Sequence, residues 1–186
     1  RPFGAAAQAG FGVGLRIVLA GYLPVVALGF SVAPVAGQNF GARRPERVRQ
    51  TFMIGAALSA VLMAAFAVLC HVAPAAMVRI FSQDPQVVSV GEEYLRVISW
   101  GFVATGVVFV ASSTFQAMGN TLPSLATSFL RVLIVAIPVM LLSRQPGFEL
   151  RWIWYLSVAA VLLQVVASLW LLRREFELRL ASMEPA

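Results

Sequence analysis

The sequence predicts an all-α protein, a polytopic membrane helix bundle that crosses a lipid bilayer about five times. Three observations carry this. The chain of 186 residues is 60% hydrophobic and 12% charged, about half the charge density of an ordinary soluble domain, and its mean hydropathy is +0.84. Ile17 to Ala42 holds no charged residue and is longer than the roughly 18 apolar residues that a membrane-crossing helix needs. Behind it Arg43, Arg44, Arg47 and Arg49 arrive together, and such charges cannot follow an apolar run into lipid cheaply.

The first span is expected over about 5–38. That is about 34 residues, or roughly 51 Å of helix, too long for one upright crossing. Gly10, Gly12, Gly14, Gly21 and Gly29 stud it, with Pro24 and Pro34 inside. A bent helix packed closely on its neighbours is predicted, since small residues let membrane helices approach. Pro45 suits the first turn of the second helix, 46–72. Pro74 ends that helix, and Ala75 to Phe81 reads as a short interfacial helix. In the turn Ser82-Gln83-Asp84-Pro85, Asp84 is placed to cap the third helix, 86–118. Its first turns are polar, with Glu92, Glu93 and Arg96, and Gly119-Asn120 breaks it. The fourth helix, 122–143, contains Arg131 and Pro138, and Gln145-Pro146-Gly147 turns the chain. The fifth, 151–172, opens with Trp152, Trp154 and Tyr155 as interfacial aromatics. One partial transmembrane lobe is thus expected over 1–175, with 176–186 as a polar tail.

With five crossings, the loop at 43–49 and the C-terminus share a face. That face carries Arg43, Arg44, Arg47, Arg49, Arg173, Arg174 and Arg179. The other carries Arg1, Arg79, Arg96, Arg144 and Arg151, partly answered by Asp84, Glu92, Glu93 and Glu149. The arginine excess places loop 43–49 and the C-terminus in the cytoplasm. The net charge of +6 does not imply nucleic acid, because the basic residues lie between apolar runs instead of beside aromatics on one face. A single cysteine, Cys70, excludes an internal disulfide and a multi-cysteine metal site. Residue 1 is Arg and no leader pattern follows, so a piece of a longer protein is expected.

The membrane portions hold no Asp or Glu, although ion-coupled pumps usually keep a carboxylate there. Any coupling residue is expected in a missing part. Arg131 sits roughly 15 Å from both ends of its helix, either snorkelling or facing a wet cavity that holds anionic groups. Thr105, Ser112 and Gln116 form one stripe, as cavity lining or as glue between helices. Tyr22, on the first span, completes the candidate transport cavity. Cys70-His71 reads as a pair at a helix end, since neighbours in sequence do not face each other and no second His exists. No nucleophile elbow, phosphate loop or paired carboxylates appear, so no enzyme, metal or organic cofactor is expected.

Gly4-Ala5-Ala6-Ala7-Gln8-Ala9-Gly10, Arg16, Pro24 and then Gly37-Gln38-Asn39-Phe40-Gly41-Ala42 before Arg43 resemble the multidrug and toxic-compound extrusion (MATE) family. Ile80 to Pro85, Phe115 to Pro123, and Arg131 with Pro138 extend the resemblance in order. It implies five helices of a six-helix C-terminal lobe in a twelve-helix exporter. Such an exporter exchanges cationic or amphipathic compounds for Na⁺ or H⁺ by alternating access. Its partners would be the lipid bilayer and the missing N-terminal lobe, where the coupling ion would bind, in the inner (cytoplasmic) membrane. Some members carry an acidic site on the tenth helix; Gly101 to Met118 has none. Gly37, Gln38, Asn39, Gly41 and Pro24 read as a hinge or helix-end motif. The glycines would allow a non-helical exit, and the amides would bond carbonyls freed at the terminus. The rivals are a lipid-linked oligosaccharide flippase of the same superfamily and a membrane scaffold subunit without a transport path.

Overall fold

A computed structural model describes residues 4–143 and 149–180. Arg1, Arg144, the turn at Gln145-Pro146-Gly147 and the last residues of the tail lie outside them. The described residues form α1 (Gly4–Gly41), α2 (Pro45–Val72), α3 (Pro74–Arg79), α4 (Pro85–Ile98), a 3-10 turn (Ser99–Gly101), α5 (Phe102–Ala117), α6 (Leu122–Leu142) and α7 (Leu150–Arg179). Five spans are long and apolar enough to cross a membrane: α1, α2, α4 continued into α5, α6 and α7. The expected all-α polytopic bundle is what the chain forms.

α1 runs unbroken through Pro24 and Pro34 and packs on α2, α4 and α5. Glycine makes the tightest of these crossings possible. A Cβ at Gly10 would lie 2.8 Å from the Val87 carbonyl oxygen, and one at Gly14 would collide with the Tyr94 ring. Farther along, Gly29 meets Phe109 of α5 in the same way, while Gly12 faces nothing within 4 Å. α7 packs on α4 and α5, and α6 leans chiefly on α7. Only Thr127 of α6 is buried.

Two apolar cores lie toward opposite ends of the bundle. One gathers Val13, Ile17, Val18, Met63, Val88, Leu95, Phe102 and Trp154. The other gathers Val48, Ala111, Phe115, Met118, Leu172 and Leu180. The second core changes the expected boundary of the tail. The helix continues to Arg179, Phe176 meets Phe52 edge-on at 6.1 Å, and Leu180 is fully buried. Residues 176–180 therefore belong to the bundle, because their apolar members continue the inner face of α7. Beside them Asn120 Nδ2 donates to Glu175 Oε1 (3.0 Å), Arg179 pairs with Glu175 (2.5 Å), and Arg179 Nη1 donates to Met118 O (2.9 Å). These bonds tie the end of α7 to the α5–α6 turn and answer a carbonyl left open at the end of α5.

The turns follow local chemistry. Asp84 Oδ1 accepts from Gln86 N at 2.8 Å with Pro85 in the first turn of α4, as the sequence predicts. Asp84→Ala is expected to cost about 1 kcal/mol, read as a lower melting temperature of the full-length protein in detergent; an unchanged midpoint would show that the cap contributes nothing. At Gly119, φ is +74°, Asn120 N donates to Phe115 O and Gly119 N to Gln116 O, a Schellman ending with glycine in the left-handed position.

The expected single helix over 86–118 is interrupted. It winds as a 3-10 turn at Ser99–Gly101, where Ser99 Oγ donates to Arg96 O at 3.1 Å. Ser99 Oγ also lies 3.2 Å from His71 Nδ1, which is 2.9 Å from Ala67 O. The contact with Ala67 O calls for a proton on Nδ1, so His71 donates to it and the Ser99 oxygen accepts. His71 thus braces the end of α2 against this turn, while its neighbour Cys70 is separately buried.

Candidate functional site

A cavity of about 300 Å³ lies where α1, α4, α5, α6 and α7 converge. α1 lines it with Phe11, Leu15, Val18 and Tyr22, spaced by four, three and four residues, one face of a helix. The α4–α5 span adds Tyr94, Ile98, Phe102 and Thr105, and α7 adds Trp154, Ser157 and Val161. From α6 comes Arg131, which also borders a wider groove of about 550 Å³ between α6 and α7 lined by Ser128, Val135 and Gln164. Two aromatic chains frame the cavity. Phe11 meets Tyr94 edge-on at 5.1 Å and Tyr94 meets Trp154 at 5.4 Å. Tyr22 meets Phe102 edge-on at 5.7 Å, and Phe102 stacks on Phe66 at 5.1 Å.

Three of the sequence-predicted residues meet here. Tyr22, Thr105 and Arg131 all line this cavity. Thr105 Oγ1 donates to Gly101 O at 2.9 Å, and Ser157 Oγ donates to Ile153 O at 2.8 Å. With their hydrogens committed, both hydroxyls offer lone pairs to the cavity. Among the described residues the Arg131 guanidinium has no ion pair and no hydrogen bond. The carboxylates that could have answered it are engaged elsewhere. Glu46, Glu92, Glu93, Glu149, Glu175 and Glu177 pair with other arginines, and Asp84 caps α4.

Ser112 and Gln116 do not line this cavity. Ser112 Oγ accepts from Ser124 Oγ of α6 at 2.7 Å, so it joins two helices. Gln116 is exposed near the end of α5. The shared stripe is real on the helix, but α5 runs past the cavity and its later turns meet the start of α6 instead. Trp154, expected among interfacial aromatics, is 3% exposed, whereas Trp152 and Tyr155 are 53% and 56% exposed. Tyr94, Trp154 and Ser157 are cavity residues that the sequence reading passed over. The spacing Trp154, Ser157, Val158, Val161 on one helical face was the available signal.

The motif at 37–42 ends differently from its expectation. α1 stays helical through Gly37 and Gly41, and the left-handed residue is Arg43, with φ of 54°. Arg44 N donates to Asn39 O and Arg43 N to Phe40 O, a Schellman ending built on arginine where glycine is usual. Asn39 Nδ2 donates to Val35 O, 2.8 Å away and one turn back, not to a carbonyl freed at the terminus. A Cβ at Gly37 would meet Ala117 O at 3.5 Å, an ordinary van der Waals contact, Gln38 and Pro24 are exposed, and a Cβ at Gly41 would meet nothing within 4 Å.

A polytopic helical lobe wrapped around a cavity, with an arginine far from either end of its span, defines a class of multi-pass membrane protein. Comparison specifies the family. The MatE family model matches residues 1–142, and the chain belongs to that family. The probable multidrug resistance protein YoeA of Bacillus subtilis (strain 168) is 25% identical over 153 residues, covering 82% of this chain and 33% of that protein. A protein named FAD transporter from Shewanella oneidensis is 28% identical, covering 72% of this chain and 29% of its own length. The solved outward-facing structure of a multidrug resistance MATE family transporter of the MOP superfamily superposes with a TM-score of 0.86 at 16% identity, over 99% of this chain and 41% of that one. The chain spans about a third of the length of the curated relatives it matches.

Proposed function

We propose that these helices are most of the C-terminal lobe of an ion-coupled exporter that moves small organic molecules by alternating access. The observation that carries the reading is the cavity: four spans converge on one largely apolar space that holds an arginine unanswered by the described residues. A charge far from either membrane face costs about 2.5–3.5 kcal/mol on insertion scales, and a scaffold subunit would have no use for that expense. The flippase reading is weaker, since a pyrophosphate cargo calls for several basic groups and Arg131 is the one cation among the described residues that lines this space. Na⁺ or H⁺ would bind outside these residues, in an N-terminal lobe. Of the cationic and amphipathic cargoes implied by resemblance, amphipathic ones fit better beside a positive group. One relative is named for FAD, an anionic aromatic compound.

The protein would sit in the inner (cytoplasmic) membrane, with loop 43–49 and the C-terminus in the cytoplasm. The test uses the full-length protein in sealed vesicles. Dye export that collapses when the Na⁺ or H⁺ gradient is dissipated is the expected result, and export indifferent to both gradients would reject the coupling. Because Cys70 is buried, a cysteine introduced as Arg44→Cys can be labelled against a low background; labelling from the outside alone would overturn the orientation.

A further inference from the structure

We infer that the cavity at Arg131 is an oxyanion site that takes an aromatic acid, a ring bearing a carboxylate or phosphate together with a hydroxyl or N–H. The inference deepens the exporter reading and rests on it for the claim that the ligand is cargo.

Charge decides the sign of the ligand. Among the described residues Arg131 is the one ionised group lining the cavity, and no carboxylate reaches it. In a low-dielectric site a full charge–charge repulsion outweighs the neutral hydrogen bonds that hydroxyls could offer an ammonium. A cation is therefore rejected, while an oxyanion gains up to two parallel N–H bonds from one guanidinium. Neighbouring polar groups specify the rest. Thr105 and Ser157 spend their hydrogens on their own helices and can only accept. Gln164, 4% exposed, lines the adjoining groove with a buried Oε1 that has no partner among the described residues. Three acceptors around one cation call for a ligand that also donates. The edge-on Tyr94–Trp154 pair supplies an apolar wall for a ring. At about 300 Å³ the space is at the lower end of ligand pockets, suited to one or two rings.

The test is direct binding to the purified full-length protein by isothermal titration calorimetry, with no transport involved. 1-Naphthoate, 1-naphthylmethylphosphate, 1-naphthylmethanol and 1-naphthylmethylammonium share a ring and differ in charge. Wild type is expected to bind both acids roughly tenfold or more tighter than the alcohol, and the ammonium weakest, since a charge-assisted hydrogen bond is worth about that factor. Arg131→Gln should erase the preference for acids, Arg131→Lys should restore part of it, and Trp152→Phe, at an exposed residue outside the cavity, should keep it. Equal binding of acid and alcohol by wild type would mean that the guanidinium is answered from within the protein, and would overturn the site, as would a preference for the ammonium. The ligand series on wild type decides even if a variant does not fold. Acid binding without gradient-driven export would leave the site standing and remove the exporter; export without acid preference would do the reverse.

Discussion

Arg131→Ala in the full-length protein is expected to lower export by about tenfold or more while leaving the protein more stable. The two effects share a cause. An unanswered guanidinium at membrane depth opposes insertion by about 2.5–3.5 kcal/mol, so its removal relieves a cost that no described partner offsets. The same group is the one charge that can hold cargo in the cavity, and losing a charge-assisted contact worth about 1.5–3 kcal/mol reduces occupancy by roughly ten- to a hundredfold. Activity and stability should therefore move in opposite directions, as they do where a site is maintained against the fold's interest. The measurement pairs initial export rates with thermal melting at matched protein levels. A variant that melts lower and exports normally would make Arg131 a structural residue and remove it from the site.

Gly10→Ala should destabilise, and Gly12→Ala, two residues away on the same helix, should stabilise. Alanine in place of glycine improves an exposed helix by up to about 1 kcal/mol, and at Gly12 nothing within 4 Å opposes it. At Gly10 the added carbon would sit 2.8 Å from the Val87 carbonyl oxygen and 2.8 Å from Val90 Cβ. Neither atom can swing aside, because one is backbone and the other is fixed to it, so α1 and α4 must part. Overpacking of this kind costs about 1–3 kcal/mol, which exceeds the propensity gain and reverses the sign. Gly10→Leu should be worse still. Melting curves of the pair check the contrast; two stabilising substitutions would show that α1 and α4 do not approach as described.

How much was legible follows from the kind of signal. Span existence came from uncharged length, a property of the chain alone. Asp84 and Gly119 were readable because a cap and a left-handed turn use residues close in sequence. Arg131 stands out as a charge at depth, Thr105 as part of a helical stripe and Tyr22 as a polar residue of the first span, and the three line one cavity. Ser112 and Gln116 were grouped with Thr105 by helical spacing, which specifies a face but not which neighbour that face meets. Trp154 was misassigned for the same reason: an aromatic near a helix start suits the interface or the interior equally until another helix covers it.

The amino-acid sequence by itself determined the all-α class and the five segments long and apolar enough to cross a membrane, because hydrophobic length acts on each segment independently. The tertiary structure alone decided that α1, α5, α6 and α7 bring Tyr22, Thr105, Arg131 and Ser157 to one space, and that Phe176 and Leu180 extend the bundle. Those outcomes depend on which helix faces touch. In a chain whose helices are apolar nearly all round, contact is selected by glycine-sized gaps and ring shapes, which only the packed helices reveal.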